Sequence, residues 1–188
     1  MSAMPVPQIL GSLLMVPVGT CPEWLVAAIR GAIRTGASWQ ETADRVAAAL
    51  RPELPRPDLL LRPAQLSGDA AGYQTHLLHA EPDGLFSVAA MVWRPGQWTP
   101  IHDHVAWCVT AVLQGAEYEE IFAQRDGVLR VAARNRNAAG TVTGFAPPGD
   151  IHQVRNAGSG VAVSMHVYGA DLTRLGSSIR REYHLPIT

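Results

Sequence analysis

From about residue 58 onward, short apolar runs alternate with glycine, proline, asparagine and aspartate, and this pattern most constrains the fold. The runs are Phe86–Trp93, Trp107–Leu113, Val128–Ala133, Gly140–Phe145 and Val161–Tyr168. Their length and spacing are typical of an antiparallel β-sandwich or barrel. We therefore expect a mainly β fold over residues 58–188, ending in a short arm or helix over Leu172–Tyr183.

Residues 1–57 have a different texture and predict a small α-helical N-terminal layer. Thr20 is a candidate cap and Pro22 suits the first turn of one helix. Ser38, followed three residues later by Glu41, is a capping-box signature for a second helix ending at Leu50. Together with the β part, residues 58–188, this layer is expected to form one structural domain.

Composition excludes several classes of function. The chain has 188 residues, 47% of them hydrophobic and 16% charged, with a net charge of −1, so nothing favours nucleic-acid binding. No apolar run is long enough to span a membrane, and the first twenty residues lack the basic start of a signal peptide, which favours a cytoplasmic protein. All fifteen basic residues are arginine, which excludes lysine chemistry. The oligomeric state is left open.

The segment from Pro100 to His104 places two histidines two residues apart. Side chains two apart on a strand share a face, so His102 and His104 would project together, with Ala106 and Cys108 continuing the row. Such a pair can chelate one metal ion, although a surface pair beside a turn is the ordinary alternative.

The surrounding spacing resembles the two motifs of the cupin family. Gly96, His102, His104 and Gly115 match the first motif, and Pro147, Gly149, His152 and Asn156 match most of the second. The resemblance implies a cupin barrel, an antiparallel jelly roll, in which His102, His104 and His152 bind one metal ion. Many cupins carry a glutamate ligand where this chain has Cys108. Three neutral imidazoles would leave the charge of a dication uncompensated and favour an anionic ligand such as a thiolate.

Ser164, His166 and Tyr168 alternate with apolar residues along one predicted strand. A strand would place these three polar side chains on one face. They could form a solvated face of an edge strand, or a hydrogen-bonded relay from the serine through the imidazole to the phenol.

With the histidine motifs and Trp93, this triad resembles the cysteine dioxygenase family, and in particular bacterial members such as 3-mercaptopropionate dioxygenases. The resemblance covers roughly residues 73–183. It implies an Fe(II)-dependent thiol dioxygenase that adds both atoms of O2 to the sulfur of a small thiol, giving a sulfinate. It assigns the iron ligands to His102, His104 and His152, and an outer relay to Ser164, His166 and Tyr168.

Cys108 has a counterpart in this family. Members of the eukaryotic type carry a cysteine there that is cross-linked to the relay tyrosine, whereas many bacterial members carry glycine. The resemblance therefore suggests a Cys108–Tyr168 thioether, with a free buried thiol as the alternative.

The substrate anchor departs from the family pattern. The family uses Tyr-x-Arg or Tyr-x-Gln on an early strand to bind a carboxylate, and this chain places Thr75 there, after Tyr73 and Gln74. Threonine cannot form the bidentate pair that a guanidinium makes with a carboxylate, so cysteine ranks below other thiols. Arg181 is a candidate anchor later in the chain, and Gln74 could also face the pocket.

Two other functions remain open from the sequence. A different metal-dependent cupin, such as a non-thiol dioxygenase or an isomerase, would use the same ligands without needing the Ser-His-Tyr register. A non-catalytic metallocupin would bind metal and a small ligand without consuming oxygen.

Overall fold

The computed structural model describes residues 13–14 and 21–188 of the chain. In this part, eleven strands form two sheets whose long pairings are antiparallel. The strands are β1 (Leu13–Leu14), β2 (Gln74–Ala80), β3 (Ser87–Trp93), β4 (His102–His104), β5 (Cys108–Gln114), β6 (Ala116–Arg125), β7 (Val128–Ala138), β8 (Val142–Phe145), β9 (His152–Asn156), β10 (Ala162–Tyr168) and β11 (Ile179–Glu182). One sheet has the order β1-β2-β3-β10-β5-β8 and the other β11-β4-β9-β6-β7. The mainly β architecture expected from the sequence is confirmed.

The helices lie mainly before the sheets. They are α1 (Glu23–Ala32), α2 (Trp39–Leu50), α3 (Pro57–Leu60), α4 (Pro63–Leu66) and α5 (Leu172–Leu175). The capping box of α2 is formed: the Glu41 amide donates to Ser38 Oγ at 3.2 Å, and the Ser38 amide donates to Glu41 Oε2 at 2.8 Å. Thr20, the candidate cap of α1, lies outside the described residues. Because α3 begins at Pro57 itself and α4 follows it, the division at that residue stays a prediction.

The main core lies between the first sheet and the helical layer. Ala43, Val46 and Leu50 of α2 are fully buried against the sheet face that carries Val163, Met165 and Val167. Burial of a side chain as large as Val46 or Leu50 stabilises the fold by about 1.5–3 kcal/mol. At Gly144 of β8, an added Cβ would lie 2.7 Å from the Ala43 carbonyl oxygen, so glycine permits the close approach of α2.

Strand β10 runs through the middle of its sheet, between β3 and β5, and all seven of its residues are buried. Its alternate residues Ser164, His166 and Tyr168 point away from the helical layer toward the interior between the two sheets. The solvated edge strand considered above is therefore wrong, and the barrel interior is where chemistry must be sought. None of the described helices is long and apolar enough to cross a bilayer.

Candidate metal centre

Three histidines converge inside the barrel from two neighbouring strands. His102 and His104 belong to β4, and His152 of β9 lies directly opposite His102 across the strand pair. The ring centroids are 4.7 Å apart for His102 with either partner, and 5.1 Å apart for His104 and His152. One ring nitrogen from each residue lies within 4.8 Å of the other two, and all three side chains are buried. This spacing fits three ligands around one ion.

The row expected to continue from His104 into Cys108 is wrong. Strand β4 ends at His104, and the chain bends before β5 begins at Cys108 in the other sheet. Cys108 lies opposite Tyr168 in the register of β5 and β10. The bend puts the cysteine in the other sheet, beside the relay tyrosine.

Each of the three imidazoles is fixed through its Nδ1 atom. The acceptors are the Pro100 carbonyl oxygen for His102 at 2.9 Å, Asp150 Oδ2 for His104 at 3.1 Å, and Glu119 Oε1 for His152 at 2.8 Å. A proton held at Nδ1 leaves the Nε2 lone pair free for a metal. Nε2 of His152 is buried and has no hydrogen-bond partner, which is what a ligand position requires.

Two of the three ligand imidazoles, those of His102 and His104, are neutral. Burial lowers the pKa of His104, and it lowers the pKa of His102 well below the ordinary value, with the neighbouring histidines adding to the effect. A neutral imidazole is the form that binds metal, so the ring nitrogens are available without first losing a proton.

Negative charge lies one layer behind the ligands. Burial alone would raise the pKa of Asp150, but hydrogen bonds from the ring and backbone of His104 outweigh it and hold that pKa below its usual value. Glu119 behaves in the same way through its hydrogen bond with His152. A dication at the ligands would therefore have two carboxylates behind its imidazoles, which the expectation of an uncompensated charge did not include. Sequence analysis missed both acids.

A chain of hydrogen bonds runs along β10 on the same side. The Trp93 indole donates to Ser164 Oγ at 3.1 Å, and Ser164 Oγ lies 2.9 Å from His166 Nε2. The Tyr168 hydroxyl lies 3.1 Å from His166 Nδ1. Burial lowers the pKa of His166 to about 3 and raises that of Tyr168 well above its usual value, so both groups are neutral. We call Ser164, His166 and Tyr168 the relay.

The three histidines share one cavity of about 300 Å³ with His166 and Tyr168 of the relay. Three residues with hydroxyl side chains, Thr75, Ser177 and Ser178, also line it, together with apolar residues. All fifteen arginines of the chain lie in the described part, and none of them lines this cavity.

The predicted substrate-binding residues separate in the structure. Thr75 lines the cavity, whereas Gln74, its neighbour on β2, does not. The Arg181 guanidinium lies 5.7 Å from the Tyr183 ring centroid, outside the cavity. The role of Arg181 and Gln74 as substrate anchors stays a prediction that this placement does not support.

The neighbouring Arg180 has a structural partner. It forms an ion pair with Asp103, the residue between the two ligand histidines, whose buried carboxylate also accepts from the Tyr183 hydroxyl at 2.8 Å. The pair joins β11 to β4 behind the metal site.

Comparison with solved structures finds similar barrels at low identity. A Cupin 2 conserved barrel domain protein from Salinispora arenicola CNS-205 is 24% identical, with 62% of this chain and 87% of that chain covered and a TM-score of 0.43. The Schizosaccharomyces pombe Cnp3 cupin domain is 17% identical, with 55% and 67% covered and a TM-score of 0.43. A Bacillus subtilis oxalate decarboxylase variant is 21% identical, with 63% and 31% covered and a TM-score of 0.46. Likenesses this distant say nothing about activity.

The match to a family model is more informative. The model for cysteine dioxygenase type I matches residues 64–177, which is more than half of the chain and includes the three histidines and the relay. The cupin barrel and the resemblance to the cysteine dioxygenase family are thus confirmed, whereas the similarity to 3-mercaptopropionate dioxygenases stays a prediction. The chain belongs to the cysteine dioxygenase type I family.

Proposed function

We propose that this protein is an iron(II)-dependent thiol dioxygenase that adds both atoms of O2 to the sulfur of a small thiol to give a sulfinate. The observation that carries the proposal is the convergence of three imidazoles on one cavity that His166 and Tyr168 of the relay also line. A site for metal binding alone would not need a hydrogen-bonded phenol next to the ligands.

His102, His104 and His152 would hold the iron. When bound, iron supplies a dication that lowers the pKa of a thiol at this site and the redox capacity that dioxygen chemistry requires. Asp150 and Glu119 keep two of the rings oriented and offset the positive charge.

The relay would position one phenol proton at the cavity. His166 is neutral and therefore carries one ring proton, so it can either donate to Tyr168 or accept from it. Ser164 fixes the other side of the imidazole. Tyr168 would donate a hydrogen bond to the reacting oxygen or to water near the sulfur.

Cys108 would modify the tyrosine. It is fully buried, lies opposite Tyr168 in the strand register and shares a cluster with it. We propose a Cys108–Tyr168 thioether, formed with loss of two hydrogen atoms to dioxygen during aerobic turnover. Of the residues predicted to bind substrate, Thr75 is retained because it lines the cavity. A cytoplasmic location stays a prediction from the sequence.

Oxygen uptake by iron-loaded protein tests the proposal. The thiols to compare are 3-mercaptopropionate, cysteine, mercaptosuccinate and ergothioneine, with products identified by mass spectrometry after reaction with isotopically labelled O2. We expect uptake matched by a sulfinate that carries two labelled oxygens, and none with the His152→Ala variant. Uptake with only non-thiol compounds would indicate another cupin oxygenase, and metal binding without any uptake would indicate a non-catalytic metallocupin. Either result would overturn the proposal.

A further inference from the structure

The cavity beside the three histidines contains no fixed positive charge. The chain has no lysine, all its arginines lie in the described part, and none of them lines the cavity. His166, which also lines the cavity, carries no charge because burial lowers its pKa to about 3. A second anionic group on a substrate would find no cation other than the metal.

Two acidic side chains behind the ligands would offset the charge of a bound dication. If the histidines bound a dication, the His104 ring would lie between the ion and the Asp150 carboxylate. The His152 ring would lie between the ion and the Glu119 carboxylate. These two negative charges cancel it formally, and a thiolate then brings the site to −1. A carboxylate on the same substrate would bring it to −2 inside a buried cavity, which is unfavourable without a partner.

We propose that the preferred substrate is a small thiol whose far end is uncharged, such as an amide or an alcohol, and not a carboxylate. This inference rests on the proposed function and names its substrate class. The hydroxyl groups of Thr75, Ser177 and Ser178 supply neutral hydrogen-bond donors and acceptors for such a group. Hydroxyls can orient a neutral polar end without the desolvation cost of a buried charge.

A matched pair of thiols tests the inference. 3-Mercaptopropionamide and 3-mercaptopropionate have nearly the same shape and differ in charge, so their kcat/KM values report the preference directly. We expect the amide to be favoured by at least about tenfold, since uncompensated like charge costs several kcal/mol in a buried site. Anaerobic calorimetric titration of the iron-loaded protein with each thiol gives the same comparison without turnover.

A charge-introducing variant provides a gain-of-function arm. Thr75→Arg places a guanidinium in the cavity and should shift the preference toward the carboxylate, whereas Thr35→Arg, the same change at an exposed position of the helical layer, should not. Equal or tighter use of the carboxylate by the wild-type protein would overturn the inference. If no thiol is oxidised, the proposed function fails. The anaerobic binding comparison then still decides whether the cavity prefers the amide to the carboxylate.

A second inference rests on a different residue, Glu117 of β6. Its side chain is 3% exposed, and its Oε1 atom has no hydrogen-bond partner. Its strand partners are Asn137 of β7 and Asn156 of β9, both neutral, and no ion pair involves it among the described residues. A buried carboxyl group without a cation is costly to ionise and calls for an explanation.

Glu117 meets the relay at its serine end. Ser164 and Trp93 both lie close to its carboxyl group. Burial is the largest effect and raises the pKa of Glu117 to about 7, and nearby Glu119 adds to it, while the contacts from Ser164 and Trp93 partly oppose the rise. The other titratable neighbours, His166 and Tyr168 of β10, are neutral.

Hydrogen-bond valence couples this carboxyl group to the phenol. With the Trp93 indole donating to Ser164 Oγ, the serine has one proton to give and one lone pair left. An ionised Glu117 accepts a hydrogen bond from the Ser164 hydroxyl, so His166 donates from Nε2 to Ser164 Oγ. The His166 Nδ1 atom then accepts from the Tyr168 hydroxyl, whose proton points at the imidazole. A protonated Glu117 donates to Ser164 instead, which reverses each bond and frees the Tyr168 proton for the cavity.

The structure assigns Glu117 as a positioning residue whose protonation sets the direction of the hydrogen bonds along the relay. When Glu117 becomes protonated, it takes up one proton from solvent. The hydrogen bonds along the relay then reverse, and the His166 ring changes tautomer. No other group gains or loses a proton.

Infrared difference spectroscopy on the metal-free protein tests this assignment. Raising the pH through neutrality should remove a protonated carboxyl band and shift a tyrosine ring band with the same midpoint. Glu117→Gln should lack both changes, Tyr168→Phe should lack only the tyrosine change, and Glu120→Gln on the same strand should show both. Glu117→Asp keeps a carboxyl group and should titrate with a different midpoint. A carboxyl that titrates without the tyrosine response, or no neutral-range carboxyl, would overturn the assignment.

Discussion

One oxygen of Asp150 accepts two hydrogen bonds from His104: the backbone amide donates to Oδ2 at 2.9 Å and the ring Nδ1 at 3.1 Å. The carboxylate therefore fixes both the strand position and the ring orientation of this ligand. Asp150 lies just before β9, which carries His152, so it also joins the two ligand strands.

Asp150→Asn should weaken metal binding and preserve the fold. The amide keeps the shape but loses the negative charge and can accept through one oxygen only. Loss of such a partner lowers metal affinity by about 10–100-fold. Competition with a calibrated chelator measures the iron affinity.

The matched control for this change is Asp126→Asn, which makes the same substitution in an exposed turn. Its positive φ of 51° suits asparagine as well as aspartate. Equal iron affinity of the Asp150 variant and this control would show that Asp150 does not support the ligand.

His152→Ala should abolish iron binding. The substitution removes one of three donors and leaves the Glu119 carboxylate buried without its ring partner. His184→Ala, at a histidine that is 84% exposed, should keep the full iron content. Metal analysis after loading decides the matter, and full iron content in the His152 variant would mean that the ligand set is wrong.

Tyr168→Phe should slow turnover and leave iron content near that of the wild type. The phenol lies beside the ligand histidines, but its hydrogen-bond partner is His166, which is not one of the three proposed ligands. Losing a positioned proton donor should lower kcat by about two orders of magnitude. Steady-state oxygen uptake and metal analysis on the same preparation separate the two effects, and unchanged kcat would remove Tyr168 from the mechanism.

The thioether makes the protein lighter by two hydrogen atoms. Intact mass spectrometry of protein taken through aerobic turnover with iron should show this loss, and Cys108→Ser should not. Cys21→Ser is the matched control, because that thiol lies in the helical layer and should leave the loss intact. An unchanged wild-type mass would leave Cys108 as a free buried thiol.

Periodicity and motif spacing predicted the parts of the site that lie close together in the sequence. Ser164, His166 and Tyr168 share a face because alternation on a strand is a local property. The two histidine motifs indicated His102, His104 and His152 by resemblance, and the structure brings them together.

The supporting acids could not be predicted in this way. Glu119 contacts His152 across the pairing of β6 and β9. Strand β6 carries several charged residues and therefore lacks the apolar run that indicated the other strands. The signal that could have revealed it is alternation in β6, where Glu117 and Glu119 occupy inward positions.

The bend after His104 was missed because Ala106 and Trp107 continue the apolar pattern without a turn residue.

Glu117 makes stability depend on pH in a direction opposite to that of a salt-bridged acid. Its pKa is raised in the folded protein, from 4.5 to about 7, so the folded state binds an extra proton between these values. The stabilisation that this protonation contributes is fully present below about pH 4.5 and is lost as the pH rises through about 7. It amounts to about 3 kcal/mol at 1.36 kcal/mol per pKa unit.

Glu117→Gln cannot ionise and should lose this dependence. Urea unfolding at about pH 5 and about pH 8 should show the variant gaining on the wild type by about this amount at the higher pH. Glu120→Gln, at a residue paired with Arg134 near the surface, should follow the wild type. Parallel curves for wild type and the Glu117 variant would mean that this carboxyl group does not titrate in the neutral range.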